Sequence, residues 1–367
     1  MTPKTPIAID AMGGDRGPAA VVEGILRARA RFGGKYLVFG RPHVLEQEFQ
    51  KLSGSIPEEI VIRPANEIIT MDDAPVEAIR EKKNSSLVLA ARAVREKNAA
   101  AIVSPGNTGA VLAAGTLILG RCRGVERAGI AAVIPTPEHY SVLIDVGANV
   151  DCRPIHLLHF AIMGMVYARV TLGIQRPRIG LLSIGEERSK GNELTLAAAP
   201  LCEQFFRSID SDRGVFLGNI EGRDIVNGRA DVVVCDGFTG NAVLKFGEAL
   251  AFTITDLLKE RITAGPVRKI GALLLRGAFR ELKNKIDYSE YGGAPLLGVR
   301  SPCIICHGSS NPRAIMNALR VAREQIEQDI CGRIERMVSE FTNGGNGDNL
   351  KRKGIVSAEE RKRKEDV

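Results

Sequence analysis

Ser183-Ile184-Gly185-Glu186-Glu187-Arg188-Ser189-Lys190-Gly191-Asn192-Glu193 follows a short apolar run, Ile179 to Leu182, and precedes a helix-patterned one, Leu194 to Phe206. A strand that ends in a polar, glycine-punctuated loop and re-enters the fold as a helix offers free backbone N–H groups at the helix start. Those donors, with the partial positive charge of the helix end, suit an anion. Lys190 adds a movable positive charge at that mouth.

The same strand–loop–helix order recurs along the chain. Pro6–Asp10 leads through Asp10–Gly17 to a helix opened by Pro18 and ending near Phe32. Ala99–Val103 leads through Ser104–Gly109 to a helix over Thr108–Arg121, and a strand near 231–235 leads through Cys235–Asn241 to a long helix. Cys303–Cys306 leads through His307–Ser310 to a helix from Pro312 to about Ile330. Further strands are expected at Lys35–Gly40, Glu59–Arg63, Ile130–Ile134, Val142–Asp145 and near 214–217. Further helices are expected near 43–52, after the Met71–Pro75 cap, over Ser85–Lys97, and over 154–173, where the pattern is apolar on nearly every face. Alternation of this kind argues for an α/β fold with a mostly parallel sheet covered on both faces. Ligands of such sheets sit beyond the carboxyl ends of the strands. That rule places Asp10–Gly17, Ser104–Gly109, Asp145–Asn149, Ser183–Glu193, Cys235–Asn241 and His307–Ser310 on one rim.

Of 367 residues, 44% are hydrophobic, which supports a large core. The formal charge is +7, of which +2 falls from Thr342 onward, where seven Lys/Arg meet five Asp/Glu. A modest basic excess suits an acidic protein or an anionic membrane surface. Nucleic acid is not expected, because the chain has no Trp, 5% aromatic residues and, before its charged tail, no dense Lys/Arg cluster. Seven dispersed cysteines and no signal-peptide segment point to reduced thiols in a cytoplasm. Ala99–Gly120 carries no charge, but Ser104–Gly109 divides it into pieces too short to span a bilayer.

The usual dinucleotide, Walker A, zinc-protease and serine-hydrolase signatures are absent from the sequence. Cys303-Ile304-Ile305-Cys306-His307 matches a haem-attachment pattern, yet cysteines three apart on a strand cannot share a face, so neither haem nor metal is expected. His156 and His159 are expected to be packed, not ligating. Val267–Ile286 has helical periodicity and carries Arg268, Lys269, Arg276, Arg280, Lys283 and Lys285 against one acid, Glu281. With the helix before it, turning at Ala264-Gly265-Pro266, it makes a hairpin over about 242–286. The hairpin suits either a solvated helix pair or an anionic membrane surface. Residues 1–341 are expected to form one α/β unit, and 342–367 a disordered charged tail.

Several stretches together are more specific. Ile7-Ala8-Ile9-Asp10-Ala11-Met12-Gly13-Gly14-Asp15-Arg16-Gly17-Pro18, Met71-Asp72-Asp73-Ala74-Pro75 and Gly106-Asn107-Thr108-Gly109-Ala110 resemble the bacterial phosphate acyltransferase (PlsX) family. So do Asp145-Val146-Gly147-Ala148-Asn149-Val150-Asp151, the 183–193 stretch and Gly218-Asn219-Ile220-Glu221-Gly222-Arg223-Asp224. Asp236-Gly237-Phe238-Thr239-Gly240-Asn241, the run from Gly292 to Gly298 and His307-Gly308-Ser309-Ser310-Asn311 complete the set, in order, from about residue 6 to 330. Ser183 and Pro105 depart from the family pattern, which has Asn and a small residue there.

The resemblance implies a three-layer fold like isopropylmalate dehydrogenase and phosphotransacetylase, and transfer of a long-chain fatty acyl group from acyl carrier protein to inorganic phosphate. The product, acyl-phosphate, feeds the first acylation of glycerol 3-phosphate in phospholipid synthesis, so the downstream glycerol-3-phosphate acyltransferase is a candidate partner. It also implies a homodimer, no cofactor and no metal, and a cytoplasmic enzyme peripherally attached to the membrane. The hairpin would supply that attachment, with Ile270, Leu273, Leu274 and Leu275 as membrane contacts. The catalytic candidates are Lys190, to neutralise phosphate or the oxyanion, Asn241, to donate a hydrogen bond to it, and His307, to protonate the departing thiolate. The phosphate- or substrate-binding candidates are Asp10, Gly13, Gly14, Asp15, Gly106, Asn107, Thr108, Gly109, Asn149, Asn192, Asn219, Ser309 and Ser310. Three other readings fit the pattern: a phosphotransacetylase-like acyl-CoA enzyme, a dehydrogenase of related fold, and a non-enzymatic membrane-bound scaffold of lipid synthesis.

Overall fold

The structure, a computed structural model, describes residues 5–286 and 292–343. Its strands are β1 (Ile7–Asp10), β2 (Tyr36–Gly40), β3 (Ile60–Pro64), β4 (Ala101–Ser104), β5 (Gly129–Pro135), β6 (Tyr140–Ile144), β7 (Arg178–Leu182), β8 (Val215–Ile220), β9 (Val232–Val234), β10 (Ala294–Leu297) and β11 (Cys303–Ile305). The helices are α1 (Gly17–Phe32), α2 (Pro42–Ser53), α3 (Pro75–Glu81), α4 (Ser86–Arg95), α5 (Thr108–Ala114), α6 (Pro154–Thr171), α7 (Glu193–Ser208), α8 (Asp224–Asn227), α9 (Gly237–Thr263), α10 (Pro266–Leu274), α11 (Arg276–Ile286), α12 (Pro312–Glu327) and α13 (Ile330–Asn343).

The helix starts follow from local chemistry. Proline, whose missing N–H is harmless there, occupies the first turn of α1, α2, α3, α6, α10 and α12. The side chains of Ser85, Asn107, Asn192, Asp236 and Asn311 cap α4, α5, α7, α9 and α12 by accepting a backbone N–H three residues on. The strands are short and apolar because both sheet faces are covered. Val232 and Val234 of β9 enter one core while Val233 enters the other, as the two-residue period requires.

All eleven strands form one sheet in the order β3-β2-β1-β4-β11-β10-β5-β6-β9-β7-β8. One face is covered by α1, α2, α12, α6, α13 and α7, and the other by α3, α4, α5, α8 and the start of α9. β3, β2, β1, β4 and β11 form one parallel block, and β6, β9, β7 and β8 another. Between the blocks, β11–β10, β10–β5 and β5–β6 all pair antiparallel. Three reversals leave the two blocks running in opposite directions. The loops expected on a single rim therefore follow two separate blocks: the 10–17, 104–109 and 307–310 loops leave the carboxyl edge of the first, and the 145–149, 183–193 and 235–241 loops leave the carboxyl edge of the second. The missed strand β10 and the unbroken link from β5 to β6 produce this outcome.

Smaller corrections concern element ends. The helix expected over Thr108–Arg121 is α5 followed by a π-helical turn, Gly115–Leu119. The one expected over Val267–Ile286 is divided into α10 and α11. Met71–Asp73 precede α3 without a side-chain cap; Asp73 instead accepts the Thr70 N–H and pairs with Lys82. The chain stays helical through Asn343, and the tail expected to be disordered lies, from residue 344, outside the described residues.

Candidate active site

On the edge where β6, β9, β7 and β8 end, the anchor is Asp145, a fully buried carboxylate. One oxygen accepts the N–H groups of Ile130, Gly147 and Ala148, and the other accepts both the backbone and side-chain N–H of Asn149. Burial raises its pKa against the pull of those donors. Neighbouring α9 comes so close that a Cβ on Gly240 would stand 1.9 Å from the Asp145 carbonyl oxygen, so only glycine fits there. Asn241, one residue later, is half-buried and lies against Gly147.

The 183–193 loop lies beside this anchor, since β7 pairs with β9. The Asn219 amide donates to the carbonyls of Glu187 and Lys190, both at 2.9 Å, and holds the loop against β8. Asn192 caps α7 by accepting the Thr195 N–H at 2.9 Å. Gly191, at φ +123°, makes the turn into that cap. Glu186 pairs with Arg229 and Arg223, and Arg229 also reaches Asp224. Lys190 is exposed. Among the described residues, neither its ammonium nor the Asn241 side-chain amide has a hydrogen-bond partner.

The carboxyl edge of the other block is built differently. Buried Asp10 accepts from Ser104 Oγ at 2.8 Å and from the Met12 N–H. Gly13 and Gly106 touch so closely that a Cβ on Gly13 would meet the Gly106 Cα at 2.7 Å. Gly14 packs on Pro105, and the Asp15 N–H donates to the Gly308 carbonyl at 2.8 Å. Asn107 is engaged at both ends. Its NH2 faces the carbonyls of Thr70, Met71 and Asp73, and its oxygen accepts the Ala110 N–H. Gly109 packs on Pro75. His307 Nδ1 lies 2.7 Å from Ser309 Oγ and accepts the Ser309 N–H. Ser310 is buried and its N–H bonds the His307 carbonyl. Thr108, the first residue of α5, is exposed.

The structure thus brings Lys190, Asn241, Asn149, Asn192 and Asn219 to one edge, and Asp10, Gly13, Gly14, Asp15, Gly106, Asn107, Thr108, Gly109, His307, Ser309 and Ser310 to the other. Asp145 and the Glu186–Arg229–Asp224 cluster were not singled out by sequence reading. The signal for Asp145 was its place at the end of an apolar run before Gly-Ala-Asn.

Cys303 and Cys306 enter cores on opposite faces of the sheet, and burial pushes both thiols up to about 12. Among the described residues no group of three His, Cys, Asp or Glu side chains is placed to hold a metal. His156 and His159 are packed: His159 accepts the Glu126 N–H, and burial lowers its pKa to about 4.

The hairpin exposes Ile270, Leu273, Leu274 and Leu275. No described helix is long and apolar enough to cross a membrane.

Comparison with known proteins is consistent across the chain. A family described as "Fatty acid synthesis protein" matches residues 5–333. A protein named phosphate acyltransferase from Desulfitobacterium hafniense (strain DSM 10664 / DCB-2) is 48% identical over 337 residues, 92% of this chain and 98% of that protein. A protein of the same name from Geobacter sulfurreducens (strain ATCC 51573 / DSM 12127 / PCA) is 47% identical over 339 residues, 92% of this chain and 95% of that one. Among solved structures, a phosphotransacetylase from Streptococcus pyogenes matches with a TM-score of 0.63 at 16% identity, over 89% of this chain and 95% of that chain. A branched-chain phosphotransacylase from Enterococcus faecalis V583 matches with a TM-score of 0.55 at 15% identity, over 88% and 99%. At such identities the likeness shows a shared α/β fold.

Proposed function

The chain belongs to the phosphate acyltransferase family, and we propose that it moves a long-chain fatty acyl group from the thioester of acyl carrier protein to inorganic phosphate, giving acyl-phosphate for phospholipid synthesis. In this reaction a phosphate oxygen attacks the thioester carbonyl carbon. The C–S bond breaks, and the carrier thiol leaves with a proton. Phosphate is itself the nucleophile, so the chemistry needs no protein nucleophile. The enzyme supplies positioning and stabilisation of the tetrahedral oxyanion.

The observation that carries the assignment is the pair of unengaged donors at the Lys190 edge. A rigid frame of hydrogen bonds around Asp145 and Asn219 presents one ammonium and one amide without partners of their own. Lys190 then neutralises phosphate or the oxyanion, and Asn241 donates to it. Asn149, Asn192 and Asn219 act as positioning residues in this reading, because their side chains already hold backbone. His307, Ser309, Ser310 and Thr108 form a second anion cradle at the other edge, and proton donation by His307 becomes the part of the reading most open to test.

We extend the reading to a homodimer and to membrane contact. On α9, Phe246, Leu250, Ile254, Leu257 and Leu258 form an exposed stripe at helical spacing, a patch of the kind that marks an interface. A second copy of the chain would cover it. Val267, Ile270, Leu273 and Leu274 on α10 and Leu275 beyond it are exposed at the far end of the hairpin, where an apolar face beside Arg268 fits an anionic membrane surface.

The test is release of free thiol from palmitoyl-acyl carrier protein with and without inorganic phosphate. Phosphate-dependent release, weak or absent with palmitoyl-CoA, is the expected result. Equal or better use of palmitoyl-CoA would transfer the assignment to a phosphotransacetylase-like enzyme. No release from folded protein would leave the scaffold reading.

A further inference from the structure

Beside the Lys190 loop, a groove of about 540 Å³ runs along the outer side of β8 and under α7. Such a volume is in the range of small-ligand clefts. Its floor is apolar, with Leu196, Ala199, Phe206 and Leu217, and Leu196 is exposed. β8 is the last strand of the sheet, so along its outer side no further strand pairs with it among the described residues. The groove's inner end is formed by Gly218 and Asn219, and Asn219 is the residue whose amide holds the Lys190 carbonyl. An added Cβ at Gly218 would meet nothing within 4 Å, so this end stands open.

The outer end is cationic. Arg176 donates to the Ser211 carbonyl just before β8, and Arg207 lies in the last turn of α7. Arg188 and Arg207 both pair with Glu203, while the other carboxylate, Glu186, is held by Arg229 and Arg223. Two arginines therefore share one carboxylate, and Arg176 is held by a backbone carbonyl.

We propose that this groove seats the phosphopantetheine arm of the carrier-protein thioester, with the thioester at Lys190 and the phosphodiester at Arg176 and Arg207. The proposal rests on the carrier-protein reading above and deepens it. The arm carries two secondary amides, which suit the unpaired backbone of an edge strand. Its dimethyl segment suits the apolar floor, and its phosphodiester suits paired guanidinium groups. Six residues of β8 span about 20 Å, comparable to the extended arm. The acidic carrier would then dock over the arginine end.

The experiment measures KM and kcat for palmitoyl-acyl carrier protein at saturating phosphate, using the full chain. Three variants are compared with the unaltered protein: R176E/R207E, the groove-filling A199W, and R333E/R336E on α13 as a charge control outside the groove lining. R176E/R207E is expected to raise KM at least tenfold with kcat within twofold, and A199W to raise KM as well. R333E/R336E is expected to stay within twofold. The arginine substitutions are on the surface and decide the question even if A199W folds poorly. An unchanged KM in R176E/R207E, or an equal rise in R333E/R336E, overturns the assignment alone. No turnover by the unaltered protein overturns the carrier-protein reading beneath it as well.

Discussion

The two edges of the sheet carry loops of nearly the same composition, rich in Gly, Asn, Ser and Asp, and use them in opposite ways. At the His307 edge, Asp10, Ser104, Asn107, His307 and Ser309 bind one another or nearby backbone, so what stays available there is mostly hydroxyl and backbone. At the Lys190 edge the asparagines and Asp145 also serve the fold, but they hold in place a cation and an amide that serve nothing internal. Identical residue types are framework in one place and presentation in another. What distinguishes them is whether the donor already has an acceptor.

That contrast orders the expected effects of substitution. Lys190→Ala should lower kcat about 1000-fold, in the upper range for loss of one preorganised donor, while the melting temperature stays within experimental error. Asn241→Ala should lower kcat about 100-fold on the same argument, again with an unchanged melting temperature. A large loss of stability in either variant would mean that these donors are framework too. Asn107→Ala should do the reverse. It removes a helix cap and an NH2 group shared by three carbonyls, and should cost about 2 kcal/mol of stability with kcat changed less than threefold. Denaturant titration beside the kinetic assay separates the two outcomes.

Acid should loosen the Lys190 side through His159, which sits on α6 just after the Asp145–Asn149 loop. Burial holds its folded pKa at about 4, below the ordinary 6.5. The unfolded chain therefore binds the extra proton between those values. The stability this neutral histidine contributes is complete above about pH 6.5 and declines as pH falls toward 4, by about 1 kcal/mol per pH unit. His159→Gln should flatten that part of the stability profile; an identical slope would remove His159 as its source.

The layers, the mostly parallel sheet and the strand-end loops were legible from hydrophobic period and helix-start chemistry. The division into two edges was not drawn, although part of its signal was present. Only four residues link β5 to β6, too few for the crossover that parallel neighbours need. The second reversal depends on β10, a four-residue strand containing Pro295 between Gly293 and Gly298, which looks like a turn. α13 was missed because Asp329, at φ +49°, breaks the helical run after α12. At the site, an Asn between a strand-end loop and a helix looks the same as a cap or as a ligand donor. Asn107 and Asn192 proved to be caps, and only the position of their acceptors could show it.

The most direct test of the account is phosphate-dependent thiol release by His307→Ala, measured beside Lys190→Ala under the same conditions. Acyl transfer at the Lys190 edge predicts that His307→Ala keeps kcat within about tenfold of the unaltered protein, in line with a removed contributor and not a removed centre. A loss as deep as that of Lys190→Ala would contradict the account, because both edges would then have to meet at one phosphate.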